Sequence, residues 1–239
     1  WMVASSFLAY GGSLRVVRSD DTDLKNGFAG AASSIKIKSL DDYNNLGYDE
    51  NTISGVTVAA RDPGSWANGV KVALIDAKAD QILVGVSTSA GLPNIQVGYG
   101  VTQAISSTLP GAGTTSTLDG YLKGVITQIS GTNAYVKVLS HVSAAGTETT
   151  VDYQPSGVYA FSGSGSVAIH TNGQSTAAGT TSYTAQQDWF DQQSIALSNN
   201  TTIAWNTIAD RPSTSSFAAA RNARFDEVHV VVIDDKGTV

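Results

Sequence analysis

The sequence has no cysteine, a single methionine and few charges: 14% of its 239 residues are Asp, Glu, Lys or Arg. Without cysteine there is no disulfide framework, no thiolate zinc site and no cysteine nucleophile. The charged fraction lies well below the usual ~25%, and Gly, Ser, Thr and Ala take up the difference. Basic residues are sparse too, 14 Lys and Arg scattered along the chain against 20 Asp and Glu, for a net charge of −6. Counterion release on nucleic acid needs clustered cations, so nucleic acid is not an expected partner. No run approaches the ~20 apolar residues that a bilayer span requires, so no membrane partner is expected either. Residues 1–8 lack the basic region of a signal peptide. The first residue is Trp1 rather than methionine, which reads as a piece of a longer chain. What is present is enough chain to bury a real core without staples. Its composition is common among extracellular β-proteins and virion proteins and unusual for housekeeping enzymes.

Val3, Phe7, Leu8 and Tyr10 have helical spacing, and Gly11-Gly12 suits the end of a short helix. Residues 14–18 read as a strand, 19–23 as an acidic loop and 26–34 as a Gly/Ala/Ser connector. Residues 35–38 alternate apolar and basic side chains, the pattern of a half-exposed strand, and 41–50 read as a polar loop. Two β-branched strands, 54–60 and 70–76, flank a turn carrying Pro63-Gly64 and Asn68-Gly69. From about residue 92 the character changes. A Gly/Ser/Thr linker at 110–117 leads into strands over 121–129, 134–140 and 148–153, a meander pattern. Residues 162–182 are nearly featureless Gly, Ser, Thr and Ala and read as a low-complexity connector. A short helix is expected at 188–193, a capping turn at 209–215 and the best helix of the chain at 216–224. Residues 228–233 are expected to form a strand buried on at least one face, ended by a turn at 234–237. No fixed repeat is visible.

The groups that could carry chemistry do not assemble into a motif. Asp20, Asp21 and Asp23 suit a hard cation, but the glycine and glutamate of a calcium-binding EF-hand loop are absent, and a solvated turn is the favoured reading. Asp234 and Asp235 follow a hydrophobic strand, where α/β enzymes place catalytic acids, yet Lys236-Gly237 behind them favours a polar turn. His141, His170 and His229 have no metal-ligand spacing. Gly163-Ser164-Gly165 is not a nucleophile elbow, because G-x-S-x-G is incomplete. Trp66, Trp189 and Trp205 could stack on sugars, but their apolar surroundings favour core anchoring. The expectation is therefore a non-enzyme with no catalytic, metal or cofactor residues and no cofactor.

Four segments in order add a resemblance. They are residues 7–18 (FLAYGGSLRVVR), 60–72 (ARDPGSWANGVKV), 205–215 (WNTIADRPSTS) and 226–237 (DEVHVVVIDDKG). Together they resemble the middle of a contractile tail sheath protein of myovirus-type bacteriophages. The likeness spans nearly the whole chain, with 92–182 matching loosely, and the family's Gly-Asn after the tryptophan is Ala67-Asn68 here. The resemblance implies a structural virion subunit, assembled in the host cytoplasm. Such subunits polymerise with neighbouring sheath subunits around a tail tube and, on a baseplate trigger, contract to drive the tube through the host envelope. Contacts to tube and baseplate would lie in regions outside this chain, and the isolated piece is expected to be monomeric. Strands 14–18 and 228–233 are expected to lie close in space. The runner-up is a carbohydrate-binding or adhesin-like phage surface module, and a hydrolase using Asp234 or Asp235 is a further alternative.

The expected fold is α+β and predominantly antiparallel β. A mixed α/β-sandwich main domain, discontinuous over 1–91 and 157–239, carries a small β-rich subdomain inserted at 92–156.

Overall fold

The computed structural model describes residues 2–15, 26–31, 35–37, 40–45, 47, 54–62, 64–88, 94–108, 117–155, 157–171 and 176–236. The chain divides into two compact units, Trp1–Val72 with Val232–Val239, and Ala73–Val231. Its secondary structure is mostly antiparallel β with short helices.

In the first unit the elements run α1 Met2–Leu8, β1 Phe28–Gly30, α2 Leu40–Asn45, β2 Val56–Ala59 and a 3-10 turn at Ser65–Gly69. Strand β3, Val70–Asp76, begins there and runs into the second unit. The second unit continues with β4 Gln81–Val84, β5 Ser87–Thr88, β6 Gly100–Ala104, β7 Ser107–Thr108 and β8 Thr117–Leu118. Next come β9 Tyr121–Ser130, β10 Asn133–Val142, β11 Glu148–Thr150, β12 Gly165–His170 and β13 Gly179–Tyr183. The last elements are β14 Ala185–Asp188, β15 Ser194–Ala196, β16 Thr202–Ala204, α3 Ser216–Ala219 and β17 Val228–Asp234.

A nine-stranded sheet, curled into a half-barrel, organises the second unit in the order β14-β4-β10-β9-β6-β12-β13-β5, with β11 added to β10. Its spine is the β9–β10 hairpin, which turns at Gly131. Both strands bury alternate residues, as a pleated strand with one face on a core must. Leu122, Ile126, Ala134, Val136 and Val138 point inward, where they meet Leu83, Val101, Phe161, Val167, Ile169 and Tyr183. Gly124 belongs to the same face because a Cβ there would lie 3.0 Å from the Phe161 ring and 2.8 Å from the Lys137 carbonyl. A bulge near Leu139 interrupts the hairpin ladder. The Leu139 carbonyl is taken instead by the Val151 N–H and by Arg224. Strands on both sides of residues 92 and 156 share this sheet.

Several sequence expectations change in the structure. Residues 162–182 are not a featureless connector: they hold β12 and β13, paired with each other and joined to the sheet through β6. Only Val167, Ile169, Thr181 and Tyr183 are buried along these two strands, so the hydrophobic signal is thin and the ladder is built largely by Ser and Thr. Residues 35–37 alternate in burial as expected but join no strand. Their polar backbone is satisfied by Asn26, whose N–H donates to Ile35 O and whose Oδ1 accepts from Ile37 N–H at 2.8 Å. The expected loop at 41–50 contains α2, with Asp41 and Asp42 in the first turn, where carboxylates favour a helix dipole. The helix at 216–224 stops at Ala219, and Asn222 and Phe225 take positive φ. Its cap is as expected, with Ser215 Oγ accepting from Ala218 N–H at 3.1 Å. Residues 16–18 and the acidic loop at 19–23 lie outside the described residues, as do most of the 110–117 linker and Gly237.

Candidate functional site

Among the described residues a group of charges gathers in the second unit, around the ends of β4, β10 and β14. Asp188 closes β14, opposite Gln81 in the β14–β4 register. Its carboxylate takes both arms of the Arg211 guanidinium, the Phe190 N–H at 2.8 Å and the Tyr153 hydroxyl at 3.2 Å. The guanidinium also lies over the rings of Tyr153 and Phe190, 5.2 and 5.1 Å from their centroids, which favours a cation over each aromatic face. Burial, with the adjacent Asp188 charge, holds the Tyr153 phenol above its usual range. The Arg211 Nη1 is buried without a hydrogen-bond partner among the described residues.

Arg224 forms a second clamp. It donates to the carbonyls of Leu139 and Val151 and to the Asp152 carboxylate, which ties the bulge of β10 to the segment after β11. Phe225 follows it with φ 58°, a left-handed conformation unfavourable for a side-chain-bearing residue. That backbone places the Phe225 ring under Lys137 Nζ, 3.5 Å from the centroid, and near Arg224 at 4.5 Å. Lys137 also donates to the Ala77 carbonyl. Partial burial lowers the Lys137 pKa, against the pull of Asp80 and Asp76. The carboxylates of Asp80, Asp152 and Asp188 are each engaged by a cation, a hydroxyl or a backbone N–H. The arrangement pins chain segments together rather than presenting an acid and a base to a substrate.

The first unit holds an apolar cavity of about 270 Å³. Phe28, Val58, Trp66, Val70, Val72 and Val232 contribute side chains to its wall. Trp66 is 40% exposed, which corrects its reading as a core anchor; Trp189 and Trp205 are buried as expected. Trp66 stands on the 3-10 turn and lines the cavity together with the small residues Gly27, Ala29, Ala59, Ala60 and Ala67.

Two of the four ordered segments meet in the structure: β3 and β17 form a two-stranded sheet. Lys71 and Asp235 make an ion pair at 3.0 Å, and the Asp235 N–H donates to Gly69 O. Asp235 is thus part of a strand-end clasp. Alternate residues of both strands are exposed and apolar, namely Val72 and Leu74 on β3 and Val228, Val230 and Val232 on β17. One face of β17 is thus exposed, while His229, Val231 and Ile233 on the other are half-buried, a thinner cover than the sequence predicts.

The three histidines stay apart. His141 Nε2–H donates to Asp119 O at 2.5 Å, and His170 Nε2 lies 2.9 Å from Thr102 Oγ1. The Nδ1 of His229 is buried without a hydrogen-bond partner among the described residues. Ser164 lies between β12 and Ser162, whose hydroxyl donates to the Ser164 carbonyl. No group of three or more His, Asp or Glu side chains able to hold a metal converges among the described residues. No helix among them is long and apolar enough to cross a membrane.

The Arg211, Arg224 and Phe225 contacts were beyond sequence reasoning, since each reaches a partner 23 to 88 positions away in the chain. The available signal is the Asp188-Trp189-Phe190 block, which the sequence reads as a short helix with Trp189 as a core anchor. No family model matches the chain, and no curated protein or solved structure is significantly similar to it.

Proposed function

We propose that this chain is the outward-facing middle of a contractile tail sheath subunit, a structural virion protein that polymerises around a tail tube and contracts to drive it through a host envelope. The observation that carries the reading is the order of the four segments, together with the β3–β17 pairing that brings the second and fourth to one clasp at Lys71 and Asp235. The exposed valines of β17 add support. Soluble monomers rarely leave contiguous apolar surface uncovered, whereas subunits that stack in a helical array bury it against copies.

Contraction in this reading needs no active site. The free energy lies in the difference between two packings of the same rigid subunits, joined by interfaces that propagate without closing. Assembly takes place in the host cytoplasm. The accompanying architecture is a discontinuous α/β-sandwich main domain interrupted by a β-rich insertion. Residues 92–156 are the span the sequence marks for that insertion, and Ala73–Val231 is the compact unit that interrupts the other in chain order. Mass spectrometry of purified contractile particles encoded by the same genome tests the proposal. The polypeptide is expected in the tail fraction at the copy number of the sheath, and its absence there would overturn the reading.

The half-exposed Trp66 lining an apolar cavity favours one second reading, a carbohydrate-binding surface module. Calorimetric titration with host glycans separates the two. Saturable binding lost in Trp66→Ala supports the module, and no heat of binding removes it.

A further inference from the structure

We propose that Asp80 is a proton-controlled latch at the approach to β4, holding that strand against β10 more tightly when its carboxyl is protonated than when it is ionised. The geometry is that of a buried carboxyl with too few partners for a charge. Asp80 is 6% exposed. Among the described residues its carboxylate accepts a single hydrogen bond, from the Val138 N–H at 2.7 Å. Its backbone is fastened on both sides: the Asp80 N–H donates to Val136 O, and Asp80 O accepts from Trp189 N–H. The side chain thus extends the β4–β10 ladder, which the backbone pairs only as far as Val136 and Gln81.

The cations around Asp80 direct their hydrogen bonds elsewhere. Lys137 of β10 donates to Ala77 O, Arg211 before α3 grips Asp188, and Arg224 after α3 grips Leu139 O, Val151 O and Asp152. The remaining titratable groups of the packed elements are Asp76 at the end of β3, Tyr153 after β11 and Asp188 of β14. The pull of the three cations, none of them hydrogen-bonded to the Asp80 carboxyl, falls short of the loss of water. Burial accordingly pushes the Asp80 carboxyl from 3.8 up to about 6, against the opposing pull of the Val138 N–H and of Lys137, Arg211 and Arg224.

The sign follows from linkage. A carboxyl whose value is raised in the closed state binds its proton there before it does in the open state. Closure is therefore favoured as the pH falls through 6 and loses that advantage as the pH rises. Between pH 7 and pH 5 the preference for the closed state grows roughly tenfold.

Native-state hydrogen exchange on the full chain tests this at the Val138 and Asp80 amides, with intrinsic rates corrected for pH. Protection is expected to rise roughly tenfold from pH 7 to pH 5 and to stay level in Asp80→Asn. Level or falling protection in the unsubstituted chain would overturn the proposal. Should Asp80→Asn fail to fold, the carboxyl-carbon NMR shift of Asp80 in the unsubstituted chain decides. A midpoint near pH 6 supports the latch, and a midpoint in the ordinary carboxylate range overturns it.

Discussion

The side-chain amide of Gln81 closes a two-bond bridge onto the backbone of Phe161, eighty residues away: Nε2 donates to Phe161 O at 3.2 Å and Oε1 accepts from Phe161 N–H at 2.8 Å. Gln81 is fully buried, so neither Phe161 group has water as an alternative. The bridge also fixes the Phe161 ring in the core against Gly124.

Gln81→Met keeps the volume and removes both partners. Two buried backbone groups are then left unsatisfied, and the expected loss is about 3 kcal/mol. Urea denaturation checks it, with a lower midpoint and an unchanged slope.

The two ends of β9 test where glycine is required. Gly120 has φ 85°, and a Cβ there would sit 2.0 Å from Val142 O, so Gly120→Ala is expected to cost more than about 2 kcal/mol. Gly131 has φ 58° and open space around it, so Gly131→Ala should cost only about 1 kcal/mol. Comparable losses for the two substitutions in thermal melts would contradict the described backbone.

Arg211→Met strands the Asp188 carboxylate, whose side chain is 11% exposed, beside Tyr153. Removing one member of such a pair costs about 3–5 kcal/mol. Arg211→Lys is expected to recover little of this, because a single ammonium cannot supply the forked donors or stack on the Tyr153 and Phe190 rings. Melting temperatures of the two variants provide the check.

The Tyr153 phenol is held up by burial and by Asp188, which accepts its hydrogen bond. Because its folded value is raised, the stability linked to its neutral form is intact below the ordinary tyrosine range and declines above it. Ultraviolet titration to about pH 11 should show the same ionisation amplitude in the parent chain and in Tyr153→Phe. A missing tyrosine signal in the variant would refute the assignment.

The isolated chain is expected not to polymerise. Electron microscopy of concentrated protein should show no tubes, and long regular tubes would show that the surfaces of this chain, the exposed β17 face among them, suffice for polymerisation.

Strong period-two patterning made β9, β10 and β3 legible in the sequence, and Ser215 announced its helix correctly. β12 and β13 were hidden because a ladder of Ser and Thr carries almost no hydrophobic period, although its backbone pairs as well as any other. Asn26 and Gln81 were hidden for a related reason. A buried amide that substitutes for a strand neighbour looks, in sequence, like any polar loop residue. The charged cluster depended on Arg211 and Arg224 reaching across the chain, and no local spacing encodes that.

Composition and pattern alone determined that this is a cysteine-free, weakly charged, β-rich chain without a recognisable catalytic motif, since those properties belong to residues one at a time or to close neighbours. Tertiary structure decided which alternating strands are covered. It buries one face of β9 and β10 beneath Phe161 and leaves Val228, Val230 and Val232 exposed on β17, whose valine run reads in sequence as a buried strand. Burial depends on what packs opposite, and that is a property of the folded chain rather than of the strand.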